Sequence, residues 1–159
     1  MKEVYLDNAA TTKLSKDAYD VMCKCLQDNY ANPSSMHRLG RNSRKIVEES
    51  RKVIADALGV DKEEIIFTSG ATEADNMAIM GVCEANRIKK SDSNVGHIIT
   101  TKIEHKAVLN TCRHLENIGY EVTYLDVDEN GLLSLDSVEN SIKDNTILIS
   151  VMSVNNEIG

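Results

Sequence analysis

Three short polar clusters carry the residue types that could do chemistry: Thr68-Ser69-Gly70-Ala71-Thr72, Lys102-Ile103-Glu104-His105 and Asn155-Asn156. Each follows a short apolar run, and the first two precede segments with helical apolar spacing. The first cluster reads as a strand over Ile65–Thr68, a tight loop and the opening turn of a helix. Hydroxyls at Thr68, Ser69 and Thr72 would join the unpaired N–H groups of a helix start, whose partial positive charge suits a phosphate. Gly70 is expected to bend the backbone where a side chain would clash. The same residues also suit an ordinary capped helix, with Ser69 or Thr72 as cap and Glu73 and Asp75 in its first turn. A lone histidine such as His105 is usually a cap or a satisfied core residue, and a lone asparagine after a strand is usually a turn. Three such clusters on one sheet edge point instead to a site for a phosphorylated, planar small molecule.

Regular elements are needed to bring these clusters together. Val4-Tyr5-Leu6 is a brief extended segment leading into the polar loop Asp7–Thr12. Ser15 caps a helix with Ala18, Val21, Met22, Cys25 and Leu26 at helical spacing. Tyr30–Gly40, with the only proline at Pro33, reads as a turn or loop. Asn42 starts a second helix bearing Ile46, Val47, Val53, Ile54, Ala57 and Leu58, stopped by Gly59. The strand at Ile65 and a helix to about Lys90 follow, then a loop at Ser91–Asn94 and a second strand over Val95–Thr100. His105 opens a helix over 106–118 with Val108, Leu109, Cys112 and Leu115 buried and Gly119 as its stop. A third strand covers Glu121–Asp126, Asn130-Gly131 turns, Leu135, Val138 and Ile142 mark a short helix, and a fourth strand runs over Thr146–Val154. Strands alternating with helices predict an α/β fold with a parallel sheet covered on both faces.

Composition narrows the function classes. The 159 residues suffice for a domain with a core, and 42% of them are hydrophobic. A net charge of −7 argues against nucleic acid or an anionic membrane as partner. No apolar run reaches membrane-spanning length and no signal-type stretch follows Met1-Lys2-Glu3, so a cytoplasmic location is expected. The four cysteines, Cys23, Cys25, Cys83 and Cys112, are then expected as free thiols, better read as small core hydrophobes than as metal ligands.

Five motifs in order carry a family resemblance: Leu6–Thr12, Asn32-Pro33-Ser34-Ser35-x-His37, Phe67–Glu73, Glu104–Val108 and Val154–Gly159. Together they resemble the pyridoxal-phosphate-dependent cysteine desulfurases, in the NifS-like branch of the class V aminotransferases that feeds iron–sulfur cluster assembly. The resemblance spans the whole chain but less than half of a typical family member. It implies part of the type I large domain of these transferases, a three-layer α/β/α fold with a mainly parallel sheet, here incomplete. Residues 1–14 would be an N-terminal arm given to the small domain, and 15–159 the first half of the cofactor-binding large domain. Ala71 and Thr72 would bind the phosphate of pyridoxal 5′-phosphate, His105 would stack on its ring and move protons, and Asn155 would bond its phenolic oxygen. The implied reaction converts L-cysteine to L-alanine and passes persulfide sulfur to an iron–sulfur scaffold protein.

The family's cofactor-holding lysine, ring-nitrogen aspartate and nucleophilic cysteine would all fall beyond Gly159. The chain by itself is therefore expected to be inactive and to hold no covalent cofactor. Two alternatives are a non-enzymatic domain that binds a phosphate ligand or a protein, and another class V aminotransferase. Self-association, or a rearranged sheet edge, is expected from apolar surface left uncovered around the fourth strand. The resemblance also places the second, third and fourth strands side by side, with the first separated from them. Ile65–Thr68 should then pair elsewhere, pair with another chain, or be poorly ordered.

Overall fold

The computed structural model describes residues 3–89 and 96–159. The loop expected at Ser91–Asn94, and the start of the second strand at Val95, lie outside these residues. The chain divides into two compact units, Met1–Phe67 and Thr68–Gly159.

In the first unit, helix α1 spans Lys16–Asp28, and the Ser15 hydroxyl caps it by accepting the Ala18 N–H at 3.2 Å. Its apolar face is present but uncovered: no residue of α1 is buried, and Cys23 and Cys25 are half-buried rather than core. Helix α2 spans Arg38–Leu58 and starts four residues before the expected Asn42. The reason is His37, whose Nδ1 accepts the Gly40 N–H at 3.2 Å and caps the helix. Gly59 ends α2 in the left-handed region at φ 69°, as its sequence position required. The loop before α2 folds back on itself. Ser35 N–H donates to Asn32 O at 3.0 Å, Ser34 N–H to Asn32 Oδ1 at 2.9 Å, and Ser43 Oγ to Asn29 O at 3.2 Å.

The strand expected at Ile65–Thr68 does not form. After a 3-10 turn at Lys62–Glu64 these residues run irregularly, with no ladder partner among the described residues. Ile65 spends its N–H on Lys62 O and its carbonyl on the Arg51 guanidinium, which also lies 4.8 Å over the Phe67 ring. The strand partner expected elsewhere in the chain is therefore not found among the described residues. Ile65 bonds to a backbone carbonyl and to a side chain in place of a ladder.

The second unit is the α/β body. Helix α3 (Ala71–Lys89) precedes β1 (His97–Thr101), α4 (Lys106–Asn117), β2 (Glu121–Leu125), a short α5 (Leu135–Glu139) and β3 (Thr146–Ser150). The three strands pair in parallel in the order β2-β1-β3, so the expected second, third and fourth strands do lie together. Strand β1 is buried at all five residues, while β3 is only partly covered, with Ile149 exposed. The fourth strand stops four residues short of Val154 because the Met152 N–H leaves the ladder for the Glu104 carboxylate. One core joins Ile79 and Cys83 of α3, Ile98 of β1, Val108, Cys112 and Leu115 of α4, and Tyr120. The Tyr120 hydroxyl donates to the Cys83 carbonyl at 3.0 Å. Burial pushes the Cys83 and Cys112 thiols up to about 11, so both behave as apolar packing groups. No helix among the described residues is long and apolar enough to cross a membrane.

His97 lies fully buried in β1, and its ring joins three strands. Nδ1 sits 2.8 Å from Thr146 Oγ1 and Nε2 2.8 Å from Thr123 Oγ1. Burial holds its pKa below the usual 6.5, the nearby Lys143 charge adds to this, and Glu121 opposes it. The unfolded chain therefore binds the proton first. The contribution of His97 to stability is complete above about pH 6.5 and declines as pH falls below it. Melting temperature measured from pH 7.5 to 5 should fall more steeply for the wild type than for His97→Gln. Parallel curves would refute the assignment.

Gly40 supplies a second test. A Cβ there would lie 2.4 Å from Ser35 O and 2.8 Å from Asn32 O, both backbone atoms. Gly40→Ala should therefore reduce hydrogen-exchange protection around residues 32–43, although alanine is favoured over glycine in a helix by about 1 kcal/mol. Gly81→Ala in α3, where a Cβ meets nothing within 4 Å, should show that gain instead.

Candidate functional site

Two helix starts face one cleft. The opening turns of α3 and α4 border an open cavity of about 450 Å³, lined by Thr72, Asn76, His105, Lys106, Asn110 and His114 among others. None of its lining residues is a carboxylate, in a chain with 25 acidic residues. Lys106 and two histidines supply its basic groups.

On the α3 side, Ala74 N–H donates to Gly70 O at 3.1 Å, which makes Ala71 the first helical residue. The N–H groups of Ala71, Thr72 and Glu73 have no acceptor among the described residues, as a helix start requires. Neither Ser69 nor Thr72 caps the helix with its side chain. Glu73 reaches back instead, accepting the Ser69 N–H at 2.6 Å and the Ser69 hydroxyl at 2.7 Å. Those two bonds hold the Glu73 carboxyl below the usual carboxylate range. Gly70 is not where a side chain would clash: a Cβ there meets nothing within 4 Å. Its bare backbone leaves the space before the helix start open.

On the α4 side, His105 is the cap. Its Nδ1 accepts the Ala107 N–H at 3.1 Å, and its carbonyl accepts from Val108 and Leu109. An accepting Nδ1 places the ring proton of neutral His105 on Nε2, so the free edge of the ring is a donor. Lys106 has no ion pair among the described residues, whereas Lys102 is tied to Asp126 at 2.7 Å and borders a different groove.

Asn155 does not line this cleft. It is buried, and its amide is largely spent within the protein. Oδ1 accepts from Glu157 N–H at 2.7 Å and Ile158 N–H at 3.1 Å, while Nδ2 donates to Ile103 O at 2.8 Å. The second Nδ2 proton has only the Met152 sulfur, at 3.3 Å. Asn155 is therefore linked, through the Ile103 carbonyl, to the loop that ends at His105.

Glu104, which sequence reasoning treated only as a neighbour of His105, proves to be the centre of that loop. Its buried carboxylate accepts the Thr101 hydroxyl at 3.1 Å and the Met152 N–H at 2.7 Å through one oxygen. Together with Asn155 Nδ2 on Ile103 O, these bonds cross between the ends of β1 and β3. A carboxylate next to a cap histidine reads as surface in the sequence alone, because nothing local reports its burial. Asn76 and Thr111 were missed for the same reason. Their side chains meet at 2.6 Å across α3 and α4, although 35 residues separate them.

The donor set fits a phosphorylated heteroaromatic group. Three open helix N–H groups and the Thr72 hydroxyl suit the phosphate, and His105 offers a planar ring nearby.

Residues 4–159 match the family described as aminotransferase class-V. Cysteine desulfurase IscS of Methanosarcina thermophila is 51% identical over 158 residues, covering 99% of this chain and 38% of the relative. A solved NifS-like protein superposes with a TM-score of 0.91 at 39% identity, over 99% of this chain and 42% of that one. A structure of SspA in complex with cysteine superposes at 0.86 with 43% identity, over 96% and 43%. The chain thus spans about two fifths of the length of the relatives it matches.

Glu104 carries the crossing between strand ends, and its removal has a definite cost. Glu104→Ala leaves the Met152 N–H and the Thr101 hydroxyl without their acceptor, a loss of about 1–3 kcal/mol. Glu104→Gln keeps an accepting oxygen and should retain most of that stability. Urea denaturation of both variants gives the comparison, and equal losses would refute the role assigned to the accepting oxygen.

Proposed function

The chain belongs to the class-V aminotransferase family, and from this premise we propose that it forms the amino-terminal part of a pyridoxal-phosphate-dependent cysteine desulfurase. The observation that carries the reading is the carboxylate-free cleft in which Thr72 at one helix start meets His105 at another. When bound, pyridoxal phosphate would supply the electron sink that lets the Cβ–sulfur bond of L-cysteine break.

The residues of this chain would bind and orient. Ala71 and Thr72 would hold the phosphate through N–H groups and the Thr72 hydroxyl, with Lys106 adding a positive charge at the same cleft. His105 would cover one face of the ring and present its Nε2 proton to the reacting groups. Asn155 would donate to the phenolic oxygen through the proton that now faces the Met152 sulfur. The loop crossing at Glu104 would hold His105 and Asn155 in fixed relation. Residues 1–14 would serve the small domain as an arm, and residues 15–159 the large domain. The sulfur would pass through a protein persulfide to an iron–sulfur scaffold partner in the cytoplasm, leaving L-alanine.

The full-length protein that carries this chain, loaded with cofactor and given L-cysteine and a thiol reductant, should yield equal amounts of L-alanine and sulfide. His105→Ala should lower kcat/KM by about 10²–10⁴-fold if its proton serves the reaction. No alanine from the loaded wild type would overturn the reading.

A further inference from the structure

We propose that Thr111, acting through Asn76, is a positioning residue for the phosphate end of the cofactor. The inference rests on the reading of the cleft given above. Thr111 is buried on α4, and its hydroxyl lies 2.6 Å from Asn76 Oδ1 and 2.7 Å from the carbonyl of Ala107. Asn76 Nδ2 in turn donates to the Thr72 carbonyl at 2.7 Å.

The partners in this chain of bonds fix the orientation of the Asn76 amide. The Thr72 carbonyl can only accept, so the amide nitrogen of Asn76 must face it. Oδ1 therefore faces Thr111, whose single hydroxyl proton is shared between two acceptors, Asn76 Oδ1 at 2.6 Å and the Ala107 carbonyl at 2.7 Å. The direction runs from the Thr111 hydroxyl to the Asn76 amide and on to the Thr72 carbonyl.

The consequence falls on the helix start. The Thr72 carbonyl shares a peptide plane with the Glu73 N–H, and in a trans peptide the two point in opposite directions. Fixing the carbonyl fixes that N–H, one of the three open donors before α3. A carbonyl that accepts a side-chain bond is also more polarised, which makes the N–H of its peptide a stronger donor. Thr111 lies on the helix that His105 caps. One buried hydroxyl thus ties the ring-facing helix to the anion-facing helix and sets the spacing between them.

The test separates this role from general packing by comparing ligands with and without the phosphate. The apo form of the full-length protein is titrated with pyridoxal 5′-phosphate and with pyridoxal, following absorbance and fluorescence. Thr111→Val, which keeps shape and removes the hydroxyl, should weaken pyridoxal phosphate about 5–30-fold and change pyridoxal by less than twofold. Thr111→Ser should restore wild-type affinity. Asn76→Ala, at a half-buried position, should give the same loss, and the double variant should be no worse than either single one. Equal weakening of both ligands, no weakening of either, or additive losses would overturn the inference. A wild type that binds pyridoxal as tightly as pyridoxal phosphate would overturn the phosphate reading of the cleft itself, and this inference with it.

Discussion

The second unit depends on the parallel pairing of β1 with a neighbour on each side. All five residues of β1 are buried, and both of its edges are used, by β2 and by β3. Parallel strands send their carboxyl ends out of the same edge of the sheet, and crossovers must carry the chain back between them. The segments after β1 and β3 therefore emerge side by side, whatever their sequence. That forced adjacency lets Glu104 reach Met152 and Asn155 reach Ile103. The polar residues exploit a proximity that the sheet already imposes.

The helices are held at both ends by different means. Away from the cleft, α3 and α4 share an apolar core with the sheet, where Cys83 and Cys112 pack as neutral thiols and Tyr120 bonds the Cys83 carbonyl. Next to the cleft their only described side-chain link is Thr111 with Asn76. An apolar core resists separation but tolerates small rotations of a helix about its axis. Directional hydrogen bonds do not. The division suits a site in which two helix starts must present donors at fixed angles.

Much of this was legible before any coordinates. The helical periods, Ser15 as a cap, Gly59 as a stop and the start of α4 at His105 follow from local chemistry and spacing, while the adjacency of the three strands came from the family resemblance. The failures share one cause, since each depended on where a group is buried or with what it pairs. Ile65–Thr68 has the composition of a strand, but a strand needs a neighbour, and here Arg51 takes the Ile65 carbonyl instead. His37 looked like a loop residue and proved to be a cap, because Nδ1 can do the work of a serine hydroxyl. Glu104 was named in a cluster but given no role, because burial of a carboxylate is set by a segment 48 residues away. Gly70 was assigned a steric need that its surroundings do not impose.

A chain with a net charge of −7 is an unlikely-looking host for a doubly charged phosphate, and the resolution lies in distance. At physiological ionic strength charges more than about 8 Å apart are largely screened. What an anion meets is then the lining of the cleft, and that lining holds Lys106, two histidines and no acid. The nearest acid in sequence to the helix start, Glu73, is occupied with the N–H and hydroxyl of Ser69. Its charge is partly neutralised by donors that would otherwise have bound an anion themselves. Affinity for phosphate must therefore come from the donors left over, the open N–H groups and the Thr72 hydroxyl. A helix terminus contributes only about 0.3–1 kcal/mol to an exposed charge, far short of the roughly 8 kcal/mol that micromolar binding requires. The remainder has to come from contacts to the ring and from preorganisation of the donors, so the groups that hold those donors still matter as much as the donors themselves.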